Sequence, residues 1–152
     1  MGDIVSVERT IPAPAEAIFA LLVDPARHRD IDGSGTVQEA KEPDGRLALG
    51  SSFGMAMKMG VSYSMVSTVI EFEENRRIAW QTRGPGAIGK RAGGRIWRYE
   101  LEPVEGGIKV TESWDITQES MLTKPLVRLS AGKTKKNMAA TLARIEELLA
   151  GA

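Results

Sequence analysis

The chain has 152 residues, enough for one domain with its own core, and its 20 basic and 20 acidic residues cancel, which argues against a polyanion-binding protein. It contains no cysteine, which removes disulfides, thiolate metal sites and cysteine nucleophiles together and is compatible with a reducing compartment. Residues 1–5 carry no basic region leading into an apolar run, and no window approaches the ~18 continuous apolar residues of a membrane span; a cytoplasmic domain without integral membrane association is expected.

Residues 3–11 alternate, with Val5, Val7 and Ile11 sharing one face with Arg9, and Ser6, Glu8 and Thr10 on the other. This is the pattern of a half-buried strand with one charge on its apolar side. Pro12 and Pro14 end it, and Pro14 suits the first turn of a short helix reaching Val23, with Ile18, Phe19, Leu21 and Leu22 as its apolar face. Asp24-Pro25 breaks that helix and leaves room for one more turn over 26–31. His28, the sole histidine, is expected exposed in a loop.

Period two returns after Gly33 and Gly35. Strands are expected at 36–40, 50–59, 62–72, 77–82, 95–102 and 108–116, with turns at Pro43-Asp44-Gly45, Glu73-Glu74-Asn75 and Glu105-Gly106-Gly107. Phe53, Met55, Met57 and Met59 share one face; Trp97, Tyr99 and Leu101 share another, as do Val110, Glu112 and Trp114. Residues 125–150 form the strongest helix signal. Val127, Ala131, Thr134, Met138, Leu142, Ile145 and Leu149 recur in steps of three and four, so they make one stripe, with Gly132 as a point of bending. The expectation is a single α+β domain over 1–152 in which a meandering antiparallel sheet covers one long helix.

Two strings imitate ligand loops. Residues 30–37 offer oxygen donors and a glycine at calcium-loop spacing, but Lys41 stands where a bidentate glutamate must close the coordination sphere, and a strand rather than a helix follows. Residues 84–89 satisfy G-x-G-x-x-G, yet they lead into a strand, so no helix N-terminus is available to hold a pyrophosphate. No cofactor and no metal site are expected. The glycine-rich loop 84–94, with Lys90 and Arg91, reads either as a flap over a cavity mouth or as an ordinary hairpin connection.

The order of elements, together with Glu8-Arg9-Thr10-Ile11-Pro12-Ala13-Pro14, Asp24-Pro25 with His28, Val69-Ile70-Glu71-Phe72-Glu73-Glu74, Arg77-Ile78-Ala79-Trp80, Trp97-Arg98-Tyr99-Glu100-Leu101 and Val110-Thr111-Glu112-Ser113-Trp114-Asp115, resembles the START-like, or SRPBCC, superfamily. The nearer resemblance is to its polyketide cyclase/dehydrase and lipid-transport group. It implies a helix-grip fold: a curved seven-stranded antiparallel sheet around a long C-terminal helix, two short helices after the first strand, and a deep apolar cavity. The functions it implies range over lipid and hormone binding, aromatic cyclisation of polyketides and regulation. No catalytic motif of the group carries over residue by residue.

Given that fold, Met55, Met57 and Met65 are either an adaptable cavity wall or plain core. Tyr63, Trp80, Trp97, Tyr99 and Trp114 either line a pocket or pack the core, the tyrosine hydroxyls requiring partners in both cases. Val127, Ala131 and Thr134 mark the open half of the last helix, and Met138, Leu142, Ile145 and Leu149 the half sealed on the sheet. Arg9 and Glu112 are the charges on apolar strand faces. The implied topology makes their strands antiparallel neighbours, so they are expected to pair, as a structural bridge or as a polar site. The leading expectation is binding or transport of a small hydrophobic or aromatic molecule between sheet and C-terminal helix, with no nucleic-acid partner. The alternatives are a polyketide-type cyclase, aromatase or dehydratase using Arg9, Tyr99 and Glu112, and a regulatory protein-interaction module.

Overall fold

The computed structural model describes residues 3–32, 37–41, 46–59, 61–84 and 93–150; within the strands, the side chains of 37–41, 55–59 and 61–64 lie outside that description. The elements run β1 (Ile4–Ile11), α1 (Ala15–Leu22), α2 (Pro25–Ile31), β2 (Val37–Lys41), β3 (Ser52–Met59), β4 (Val61–Glu73), β5 (Arg77–Arg83), β6 (Gly93–Val104), β7 (Gly107–Asp115), α3 (Lys124–Arg128) and α4 (Ala131–Ala150). The strands form one antiparallel sheet in the order β1-β7-β6-β5-β4-β3-β2. The strands and the two short helices fall where the sequence puts them, as do the turns at 73–75 and 105–107, while the turn expected at Pro43-Asp44-Gly45 lies outside the described residues; Asn75, at φ 61, supplies the left-handed residue of the β4–β5 turn.

Register gives the two faces different chemistry. The row Trp80–Trp97–Trp114–Val5 and the next row Ile78–Tyr99–Glu112–Val7 lie on one side. Arg98, clamped by both oxygens of Glu71 at 2.9 and 2.7 Å, and Arg77, bonded to Glu100 at 3.0 Å, lie on the other. Helices therefore cover the first face, and ion pairs in contact with water cover the second. The connection from β1 to β2 joins opposite edges of the sheet, so α1 and α2 must cross the apolar face. Phe19 of α1 meets Phe72 edge-on at 5.6 Å. Ile18, Phe19, Leu21 and Leu22 are buried, as their spacing requires.

The expected curved sheet gripping one helix is overturned. The sheet is open, neither closed nor strongly curled. Among the sheet strands, α4 packs chiefly on β1 and then β7, and it also touches α1 and α2. The physical reason lies in α1 and α2: they cover the apolar face over β3 to β5, so the sheet has no need to curl around α4 to bury it.

The helix expected over 125–150 is also two helices. Leu129 donates back to Leu126, and the Ser130 hydroxyl bonds the Val127 carbonyl at 2.7 Å, closing α3. The Ser130 carbonyl then accepts from Thr134 at 2.8 Å and starts α4. The break precedes Gly132, which sits inside α4 with open space around it. Met138, Leu142 and Ile145 are sealed as expected and Leu149 is half-buried; Ala131 is buried as well, on the face of the first turn of α4 that packs with Trp114.

Among the described residues two apolar clusters result. The larger joins α1, α2, the sheet centre and the Leu142–Ile145 part of α4; the smaller joins Val5, Trp114, Ile116, Ala131 and Met138. Val7 and Trp97 pack against both, and so mark the seam between them.

Candidate functional site

Glu112 lies on that seam. It stands on β7 between Val110 of the larger cluster and Trp114 of the smaller, and is only 2% exposed. Because β6 and β7 pair with Tyr99 opposite Glu112, the Tyr99 hydroxyl donates to Glu112 Oε2 at 3.0 Å. Glu112 Oε1 has no hydrogen-bond partner among the described residues. An ionised carboxylate is disfavoured where water cannot reach it. Burial accordingly pushes the Glu112 carboxyl up to about 8, the Tyr99 hydroxyl opposing and the charge of Asp32 adding to the rise. Burial first, then the Glu112 charge, pushes the Tyr99 phenol well above its ordinary value. At neutral pH the site is thus a neutral acid beside a neutral phenol. With Tyr99 donating to Oε2, the acid's own hydrogen belongs at Oε1, where it faces no acceptor. A buried donor in that state costs roughly 1–3 kcal/mol.

Aromatic rings frame the pair. Trp80 lies 5.6 Å from Tyr99, tilted by 39°, and Trp97 lies 6.5 Å from Trp114 across the β6–β7 pair. His28 stacks on Trp80 at 4.9 Å and 21°, and Phe53 meets both rings edge-on. His28 is buried, contrary to its expected exposure. Asp24 caps α2 by accepting from the Ala26 amide, and Pro25, His28 and Ile31 then fall on one face, which turns toward the sheet. His28 Nε2 donates to the Leu22 carbonyl at 2.8 Å, one of the acceptors that the end of α1 leaves unpaired. Burial lowers the His28 pKa, so the ring is neutral at pH 7. The i, i+3, i+6 spacing of Pro25, His28 and Ile31 was the available signal for this residue.

The remaining expected site residues separate. Arg9 does not pair with Glu112: β1 and β7 are antiparallel neighbours, but the register sets Arg9 against Val110 and Val7 against Glu112. The Arg9 guanidinium instead bonds Glu146 of α4 at 2.8 Å, 45% exposed on the rim. Tyr99, which the sequence suggested separately, is the partner. Met65 is half-buried on β4; the side chains of Met55, Met57 and Tyr63 lie outside the described residues. Val127, half-buried, and Ala131 pack with Trp114, and Thr134 is half-buried on α4. The calcium-like string at 30–37 and the glycine-rich loop fall largely outside the described residues; among those residues no His, Cys, Asp or Glu cluster is arranged to hold a metal.

Two grooves open elsewhere on the surface of the described residues. One is lined by Glu16, Ala20, Asp24, Arg46 and Glu74, the other by Arg76, Arg77, Glu100 and Lys109, and neither reaches the Glu112–Tyr99 pair. A further buried polar group escaped the sequence reading: Glu119, in the turn after β7, accepts from Arg95 at 3.2 and 3.0 Å and from the Thr123 hydroxyl at 2.6 Å. Gly94, at φ 113, lets β6 approach the Gln118 carbonyl so closely that a Cβ there would collide with it, which brings Arg95 to Glu119.

Among proteins of known sequence, the chain is 33% identical over 143 residues to the uncharacterized protein Rv0088 of Mycobacterium tuberculosis, an alignment covering 90% of this chain and 60% of that protein. The chain thus spans about 60% of the length of this curated relative. Among solved structures, protein MLL2253 from Mesorhizobium loti superposes with a TM-score of 0.72 at 17% identity, over 98% of both chains. Protein Ms6760 from Mycobacterium smegmatis does so with a TM-score of 0.71 at 14% identity, over 98% of this chain and 92% of that one. At such identities these likenesses show a shared fold. The family model for polyketide cyclase / dehydrase and lipid transport matches residues 3–150, and the chain belongs to that family.

Proposed function

We propose that this protein binds a small, flat hydrophobic or aromatic molecule against the apolar face of the sheet, at the Glu112–Tyr99 seam. The observation that carries the reading is Glu112 Oε1, a buried carboxyl oxygen with no partner among the described residues, in a setting of aromatic rings. A ligand carbonyl or hydroxyl would accept the hydrogen that the fold leaves unmatched, while Trp80, Trp97 and Trp114 supply flat apolar area. The two apolar clusters meet at this seam, so a ligand entering there would part contacts that Val7 and Trp97 make to both.

The test uses Nile red, a flat aromatic ketone, titrated against the protein and followed by fluorescence, with native mass spectrometry of freshly purified protein to look for a retained molecule. Glu112→Leu removes the donor and is expected to weaken binding about tenfold, about 1.4 kcal/mol. Glu112→Gln keeps a donor and retains affinity. Wild-type affinity is expected to fall above about pH 8 as the carboxyl ionises, and the Gln variant to lose that dependence. Equal affinity for wild type and Glu112→Leu at all pH values would remove the site from this reading.

A second reading, a cyclase, aromatase or dehydratase activity, is supported by the same neutral acid. A carboxyl that holds its proton at pH 7 beside a phenol can protonate a carbonyl or a departing hydroxyl. Arg9, bonded to Glu146, stands outside this version. Turnover of a β-hydroxy ketone with loss of one water, abolished in Glu112→Gln although that variant still binds Nile red, would favour it over carriage.

A further inference from the structure

The segment joining the sheet to the last helix is unusual for a surface. Met121, Leu122, Leu126 and Leu129 are 84%, 74%, 70% and 85% exposed, whereas the other large exposed apolar residues among those described, such as Ile4 and Leu49, are spread along the chain. Isolated exposed apolar residues are ordinary; four within nine positions are not. The fold forces the arrangement. Val127 and Ala131 turn inward against Val5 and Trp114, so Leu126 and Leu129 must face out, and Leu122 joins them at spacings of four and three.

Charge is equally one-sided there. No acidic residue occurs between Glu119 and Glu146, while Lys124, Arg128, Lys133, Lys135 and Lys136 all do, in a chain whose total charge is zero. Asp3 accepts from both Lys124, at 3.0 Å, and Arg128, at 2.9 Å. Lys133, Lys135 and Lys136 are exposed on α4 and make no ion pair among the described residues.

From this combination we infer that residues 121–136 form a peripheral docking surface for an anionic lipid bilayer: the exposed Met121, Leu122, Leu126 and Leu129 enter the interface, and the lysines at the start of α4 meet acidic headgroups. Exposed aliphatic residues beside unpaired cations match that boundary in both of its components. A single strand of RNA fits less well, since it is held by cations together with stacking aromatics, and 120–136 contains none. A second copy also fits less well, because a two-fold contact sets the patch against itself and brings like charges together. The surface is built on α3 and α4 and does not depend on the Glu112 site taking a ligand.

The experiment is co-sedimentation of the whole protein with vesicles of phosphatidylcholine, and of phosphatidylcholine with roughly one-third phosphatidylglycerol, at about 0.1 M and about 0.5 M salt. Binding to the anionic vesicles is expected to be at least about tenfold tighter than to neutral ones and to weaken at high salt. The double variant Leu126→Ser/Leu129→Ser and the triple variant Lys133→Glu/Lys135→Glu/Lys136→Glu should each lower it by about tenfold or more, with circular dichroism and melting temperature unchanged. All these positions are exposed, so both variants are expected to fold. Failure to bind anionic vesicles, equal binding to both compositions, or binding untouched by either variant overturns the inference. So does light scattering that reports a dimer dissociated by the leucine variant, or retention of polyuridylate RNA that depends on the lysines but not on the leucines.

Discussion

Glu112 and Glu119 are both buried, and they sit in opposite surroundings. Glu119 has no exposed side-chain surface, yet three hydrogen bonds from Arg95 and Thr123 meet its oxygens. Glu112, almost equally buried, has one neutral hydroxyl and an unpartnered oxygen. The first is paired with a guanidinium that ties β6 to the turn before α3. The second is held neutral by its apolar setting, which leaves a proton in the middle of a core. A buried acid is informative about function when its pairing is incomplete, and Glu119 shows that this chain can pair one completely.

The sharpest way to break the comparison is to remove the cation. Arg95→Met strands Glu119 as a buried charge and is expected to cost about 3–5 kcal/mol in urea unfolding, because the penalty falls on the partner left behind. If the loss is below about 1 kcal/mol, Glu119 is solvated in solution and the contrast with Glu112 disappears.

Glu112→Gln probes the other side through pH. The folded carboxyl keeps its proton up to about 8, whereas its ordinary value is 4.5. Between those values the folded state binds more protons than the unfolded one, so stability falls as pH rises, by at most about 1.4 kcal/mol per pH unit from this group. The neutral glutamine lacks that slope. Its stability relative to wild type is expected to increase from pH 5 to pH 8, and a difference constant across that range would mean Glu112 is ionised in the fold.

Thr123→Val tests how far the Glu119 site depends on its neutral donor. It removes the 2.6 Å bond to Glu119 and the acceptor for the Gly93 amide, with Arg95 left in place, so a loss of about 1–2 kcal/mol is expected in thermal unfolding. A loss as large as that of Arg95→Met would shift the weight of the site from the charge to the hydroxyl.

Arg9→Ala should have the smallest effect. Its bond to Glu146 lies on the exposed rim, where such pairs contribute about 0–1 kcal/mol, and it is remote in bonding from Glu112. A stability change within about 0.5 kcal/mol and an unaltered pH profile are expected. A change in the Glu112 profile would restore the direct pairing of these two charges.

What the sequence determined by itself is whatever depends on near neighbours in the chain. Side chains alternate across a strand for covalent reasons, so the sharing of a face by Val5 and Val7, by Trp97, Tyr99 and Leu101, and by Val110, Glu112 and Trp114 was legible, as were the turns between them. The apolar face of α1 and the sealing residues Met138, Leu142 and Ile145 follow from helical spacing in the same way. The tertiary structure alone decided who meets whom. Tyr99 rather than Arg9 faces Glu112 because of the register between strands. Arg9 finds Glu146 because α4 lies along β1. The sheet stays open because α1 and α2 cover its far half, and His28 is inside because α2 lies over Trp80. The break at Ser130 depends on seating Val127 and Ala131 on Trp114 while the chain leaves the Glu119 turn. Each of these is a contact between residues distant in sequence or a choice between two local conformations of similar energy, and periodicity carries no information about either.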